Sequence, residues 1–268
     1  MQKYLVLIFL CLSACISEEK QVPVSIQHLE SLYELNPEKA SLDSLQKEYR
    51  YFWDVYSQNI IYLPSDSSFS DALRDFQQDS SCQDVYSEVK NKFTDFEVYA
   101  QELTGAIQRY HHYFPSRVVP GVVTFYGAFN YAIANTDSII GIGLDMFLGK
   151  NSGYYKKLAD KYPSYMHQQF QPNYMTALAM KGWLETEYPT KPHNFLSQMI
   201  QKGRLQYVLS QLLPETPDSV LMGYTKAQIE WCEASEFSIW QFIIQEDLLY
   251  TNKHEQIIKC MQPAPFSG

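Results

Sequence analysis

Cysteine is scarce in this chain. Its 268 residues hold five, and no two stand in a Cys-x-x-Cys spacing. A zinc ribbon and a thioredoxin-type redox site are thereby excluded. Glycine numbers only 11, none of them in Gly-x-Ser-x-Gly, so the strained serine elbow of the α/β-hydrolases is missing. No His-Glu-x-x-His occurs either, the spacing that sets two metal ligands on one helical face with a general base between them. Positive charge is in deficit: 21 Lys and Arg against 30 Asp and Glu give a net charge of −9 with no long basic run. Nucleic acid is accordingly not expected as a partner. No apolar run reaches the length of about 20 residues that a bilayer-spanning helix needs.

What the chain does have begins at its first residues. Lys3 gives a positive start, Tyr4 to Leu12 is almost wholly apolar, and Ser13 and Ala14 are small. That order is the layout of a secretory signal peptide over residues 1–14. Cys15 follows directly, which makes the junction resemble a lipoprotein box. In such lipoproteins the cysteine is acylated and becomes the first mature residue, so Cys15 is the expected lipid attachment site. Acyl chains would then hold the protein on a membrane, each buried methylene contributing roughly 0.8 kcal/mol. Residues 15–24 read as a short polar tether. Ile16 is not the aspartate that retains many lipoproteins on the inner membrane, and Ser17-Glu18-Glu19 resembles an acidic surface-export signal. Outer-membrane residence is expected, with the facing side open.

Hydrophobic content of 46% and aromatic content of 15% suffice for a packed interior over 25–268, expected as a single domain. The 21 tyrosines against 4 tryptophans point to many half-buried rings with wet hydroxyls. With Cys11 lost in the signal peptide and Cys15 lipidated, Cys82, Cys232 and Cys260 remain, allowing at most one disulfide. They read more simply as small buried hydrophobes.

Periodicity divides the domain. Residues 25–113 are mainly helical, with short helices at Leu42–Tyr56 and Asp71–Phe76 and a long one from Val85 to Tyr113. In the last, Val85, Val89, Phe93, Phe96, Ala100, Leu103, Ile107 and Tyr110 recur every three or four residues. Strand-like runs follow at 118–126 and 138–144, with a third short one at 129–134. Helices resume at 154–161, 172–185, 194–213 and 225–250. Helices, then strands, then helices make an α+β class with a small antiparallel or mixed sheet packed on helices.

Candidate chemistry is sparse. The six histidines are His28, His111, His112, His167, His193 and His254. His111 and His112 point about 100° apart on a helix and would not share a metal easily. At a helix C-terminus their charge complements the carbonyl-end dipole. Gly141 and Gly143 resemble a fragment of a dinucleotide loop, but Asp145 follows at once and would repel phosphate. They read better as strand glycines approached by another backbone. Glu230, Glu233 and Glu236 could share a helix face as a solvated acidic stripe. Asp145 is a lone carboxylate without a partnering acid or base. No catalytic, cofactor-binding or metal-binding residue is assigned, and no cofactor is expected.

Several segments in series resemble the gliding-motility-associated lipoproteins of the GldB type, found in the Bacteroidetes. They include His112-Tyr113-Phe114-Pro115, the run from Ile140 to Lys150, and Tyr162-Pro163-Ser164-Tyr165. The run Met199 to Tyr207, Gly223-Tyr224-Thr225, Trp231, Glu236, Ile239-Trp240, Leu248-Leu249-Tyr250 and Ala264-Pro265-Phe266-Ser267 continue the series. The resemblance implies a lipid-anchored envelope component of the gliding machinery, with other gliding or secretion envelope proteins as partners. The family is similar in outline to predicted gluzincin-type zinc peptidases, so 114–268 is expected to be a degenerate zincin-like part. The helix Pro172 to Leu184 carries neither histidine nor glutamate where that likeness implies a ligand helix. Lys202-Gly203 stands where an acidic third ligand is implied. A non-catalytic scaffold is therefore expected, with an exported zinc-dependent metallopeptidase of non-standard ligand set as the alternative. A third reading is a lipoprotein that binds a small ligand or glycan through its aromatics. Family chains usually run on past Pro-Phe-Ser, so a last core segment is expected to be missing after Gly268.

Overall fold

A computed structural model describes residues 21–38, 41–63, 68–158, 160–189 and 193–261. The signal peptide, Cys15 and most of the expected tether lie outside the described residues. The first described element is a strand, β1 (Ile26–His28), followed by a 3-10 turn and α1 (Leu42–Glu48). A π-helical stretch, Val55–Ile60, leads to α2 (Phe69–Gln78), α3 (Ser80–Lys92) and α4 (Glu97–Tyr113). Then come β2 (Gly121–Phe125), β3 (Ile133–Asn135) and β4 (Ile139–Gly143). The remainder is helical: α5 (Gly153–Lys157), α6 (Met175–Glu187), α7 (Phe195–Leu212), α8 (Asp218–Met222), α9 (Lys226–Ala234), α10 (Glu236–Gln245) and α11 (His254–Met261). The α+β class expected from the sequence is the class observed.

Among the described residues the sheet has four strands in the order β1-β2-β4-β3. β1, β2 and β4 run parallel, and only β3 is antiparallel, against β4. The sheet is thus mixed rather than antiparallel. Parallel strands are buried on both faces and read as continuous apolar runs, which is the pattern of β2 and β4. Val122, Ile140 and Ile142 pack one way, against Val89, Leu103, Ile107, Met180 and Trp183 of the helices α3, α4 and α6. Val123, Phe125 and Ile139 pack the other way, against Leu45, Phe52, Tyr56 and Leu73. At Gly141 an added Cβ would strike both the Ala134 carbonyl and the Phe52 ring. The approach of another backbone inferred for this glycine is therefore real, with an aromatic ring beside it.

Several expected elements are broken, each by local polar chemistry. The helix from Val85 to Tyr113 is two helices. Thr94 Oγ1 donates back to the carbonyls of Lys90 (2.9 Å) and Asn91 (3.1 Å), and the Asp95 side chain accepts the Glu97 N–H at 3.1 Å. Such side-chain bonds end one helix and start the next. The helix over 225–250 divides at Ser235, and Asp247 at φ 50° closes the second piece. The strand expected over 129–134 is confined to Ile133–Asn135, because Ala128 and Phe129 hold left-handed angles of 50° and 60°. α7 starts where expected, on a capping box between Asn194 and Ser197.

A small third cluster, Phe195, Ile243, Leu248 and Ile257, joins the start of α7 to α10 and α11. Among the described residues no helix is long and apolar enough to cross a membrane.

Candidate functional site

The residues singled out in the sequence scatter over the fold. His28 ends β1, His111 and His112 lie in the last turn of α4, and His167 sits in a 3-10 turn, Ser164–Gln169. His193 precedes α7 and His254 opens α11. Among the described residues no group of three His, Cys, Asp or Glu gathers as a metal-holding set. Glu230, Glu233 and Glu236 are all exposed, with Glu236 on a different helix from the other two. Lys226 pairs with Glu230 at 3.7 Å. Cys82 and Cys232 are half-buried and unpaired, whereas Cys260 is exposed, which corrects its reading as a buried hydrophobe.

Asp145 is fully buried, and its role is architectural. Its carboxylate accepts the N–H of Gly127 at 3.2 Å and of Phe129 at 2.5 Å. Its own carbonyl accepts from the Tyr155 hydroxyl at 2.9 Å, which in turn accepts the Leu148 N–H at 2.9 Å. Burial pushes the acid up to about 6, against the opposing pull of the two N–H donors. The Phe129 carbonyl is itself held by Tyr162 Oη (2.7 Å) and Lys161 Nζ (3.1 Å). A left-handed loop is thus fixed from three sides.

A second polar group joins β1 to β2. His28 Nδ1 lies 2.9 Å from Thr124 Oγ1 and 3.0 Å from Glu30 Oε1, while Thr124 Oγ1 donates to Glu30 Oε2 at 2.6 Å. The Glu30 hydrogen bond raises the histidine above its ordinary value, against the pull of burial.

The cleft lies elsewhere, where α6 and α7 run together beside β3. Gly182 of α6 sits so close to the strand that a Cβ would come within 3.0 Å of Ile133 and 3.1 Å of Asn135, so a glycine lets strand and helix approach. The residue before it, Lys181, enters a cavity of 260 Å³ also lined by Glu185, Lys202, Gln206, Met222 and Tyr224. Burial lowers the Lys181 ammonium below its ordinary value, Glu185 opposes that, and the like charge of Lys202 adds to it. The cavity opens into a wider cleft that brings in Lys150, Tyr165 and His167. Sequence reading flagged Lys202 through the expected peptidase likeness but missed Lys181. Its only signal was a lysine within the mainly apolar run 175–184.

A separate surface is apolar. Trp231 on α9 and Phe237, Trp240, Phe242 and Ile244 on α10 are exposed, Phe237 by 80%.

Fold and cleft define a helix-rich α+β protein with a cationic cleft. The chain belongs to the family of the gliding motility protein GldB, whose family model matches residues 13–268. Membership implies a part in gliding motility and a place among cell-envelope lipoproteins. No curated protein and no solved structure matches the chain. The likeness to gluzincin-type peptidases therefore remains an expectation of the sequence.

Proposed function

We propose that this chain is a lipid-anchored, non-catalytic component of the gliding machinery, held in the outer membrane by acyl groups on Cys15. The family match over residues 13–268 carries this reading. The chemistry of the cleft supports its non-catalytic part. A catalytic zinc is held by about three protein ligands with one open position. Here α6 and α7 present Lys181 and Lys202 to the cavity, and two ammonium groups repel a dication. Glu185 is the one carboxylate lining the same space among the described residues. The exposed aromatic side chains of α9 and α10 suit a protein that works by contact.

Two measurements test the reading. Labelled palmitate should enter the wild-type chain and not Cys15→Ser, which should accumulate as unprocessed precursor; label in the variant refutes the anchor. Metal analysis of the purified chain should give background zinc. One zinc per chain refutes the non-catalytic role.

A further inference from the structure

The wider cleft between α6, α7, α8 and the Ser164–Gln169 turn has a charge opposite to the rest of the chain. Overall the sequence carries a net −9. The cleft is lined by Lys150, Lys181 and Lys202 together with His167, and no Asp or Glu lines it among the described residues. Three lysines line one concavity of an acidic protein, and the charge of Lys202 acts against that of Lys181. Lys181 is half-buried there, and none of the three lysines makes a hydrogen bond or ion pair. A partly desolvated ammonium beside a like charge, with Glu185 as the one carboxylate acting on it, is unfavourable unless a further anion joins it.

The rest of the lining narrows the anion's chemistry. Tyr165 and Tyr224 present rings and hydroxyls to the space, and neither ring stacks on another nor hydrogen-bonds. Asn151 and Ser164 add open polar groups. Gln228 caps α9 with its carbonyl oxygen, accepting from Thr225, which leaves its amide N–H groups pointing elsewhere. Aromatic faces suit the C–H faces of a sugar ring, while amides and hydroxyls suit its hydroxyl groups. Pockets of this kind, with a few convergent polar groups on an apolar wall, are the usual small-ligand sites.

We infer that this cleft binds a sugar acid, with the anionic group on Lys181 and Lys202 and the ring against Tyr165 and Tyr224. Carboxylate and phosphate share the recognition chemistry, so the ligand is a uronate or a sugar phosphate. Binding relieves the repulsion between the lysines and favours the Lys181 ammonium, which burial disfavours. The inference does not depend on the lipid anchor or on the absence of catalysis, because it rests only on the lining of the cleft.

Calorimetric titration of the detergent-solubilised full chain with glucuronate, glucose 6-phosphate and glucose tests it. At least one acid should bind saturably, with glucose weaker by about tenfold or more, equivalent to roughly 1.4 kcal/mol. The tighter acid identifies the carboxylate or the phosphate as the group recognised. Lys202 is exposed, so Lys202→Glu leaves the core intact and should weaken the acid by about tenfold with the thermal midpoint unmoved. Lys181→Met should weaken it similarly, and Tyr224→Ala should weaken acid and glucose alike. Glucose binding as tightly as both acids overturns the inference. So does the absence of saturable heat from either acid, or unchanged affinity in Lys202→Glu.

Discussion

The carboxylate of Asp145 holds the backbone N–H of Phe129 at 2.5 Å, and Phe129 stands at φ 60°. A bulky residue in the left-handed region is strained. The strain persists because Asp145 takes two N–H groups of the loop while Tyr162 and Lys161 take the Phe129 carbonyl. The same loop ends the strand expected at 129 and delays β3 to Ile133. It also gives Asp145 a measurable signature, because burial raises its acid to about 6.

The sign of that signature is fixed by linkage. Between the ordinary value of 3.8 and about 6, the folded chain binds the Asp145 proton more tightly than the unfolded chain. Its contribution to stability therefore falls as pH rises through that window. Asp145→Asn does not titrate. Wild-type stability minus that of the variant, from urea titrations between pH 4 and 7, should fall by on the order of 3 kcal/mol and then level off. A flat difference would show that the two N–H donors outweigh burial.

Ala128 is exposed and held at φ 50°. Glycine adopts such angles without a Cβ penalty, so Ala128→Gly should stabilise the chain by about 0.5–1 kcal/mol, read as a raised thermal midpoint. A destabilised variant would mean that the loop angles are not strained.

His28 is the opposite kind of titrating group. Its folded value lies above 6.5 because of Glu30, so its pairing stabilises fully below 6.5 and is lost as pH rises through the folded value. The side chain is 46% exposed, so solvent screening keeps the gain to about 0.5 kcal/mol or less. His28→Gln should remove a small decline in wild-type stability above pH 6.5. The same decline persisting in the variant would assign it to another group.

Trp183 is completely buried in the main core, and Phe237 is 80% exposed. Trp183→Ala should lower stability by about 3–5 kcal/mol. Phe237→Ser should stay within about 0.5 kcal/mol of wild type. A large loss from Phe237→Ser would show that the face of α10 is covered in the folded protein.

These contrasts also mark what was legible in the sequence. The core helices, the two parallel strands around Val122 and Ile140, and the glycine contact at Gly141 follow from local periodicity and residue size. β1 did not, because three residues carry no alternation, and its partner Val122 lies nearly a hundred positions from Ile26. Whether the sheet is antiparallel or mixed stayed open for the same reason, since parallel pairing is set by long connections rather than turns. Breaks at Thr94 and Ser235 were missed because one backbone-bonding side chain decides them inside an otherwise helical pattern. Lys181 and Lys202 lie on separate helices, and only the packing of α6 on α7 brings their charges into one cleft.

The family and the lipid anchor meet in a single experiment on the bacterium that encodes this chain. Its gene is deleted, and colony spreading by gliding is measured after complementation with wild type or with Cys15→Ser. Spreading should disappear on deletion, return with wild type, and stay absent with Cys15→Ser although the variant chain is present. Undiminished spreading in the deletion strain, or full restoration by Cys15→Ser, would contradict an anchored role in gliding.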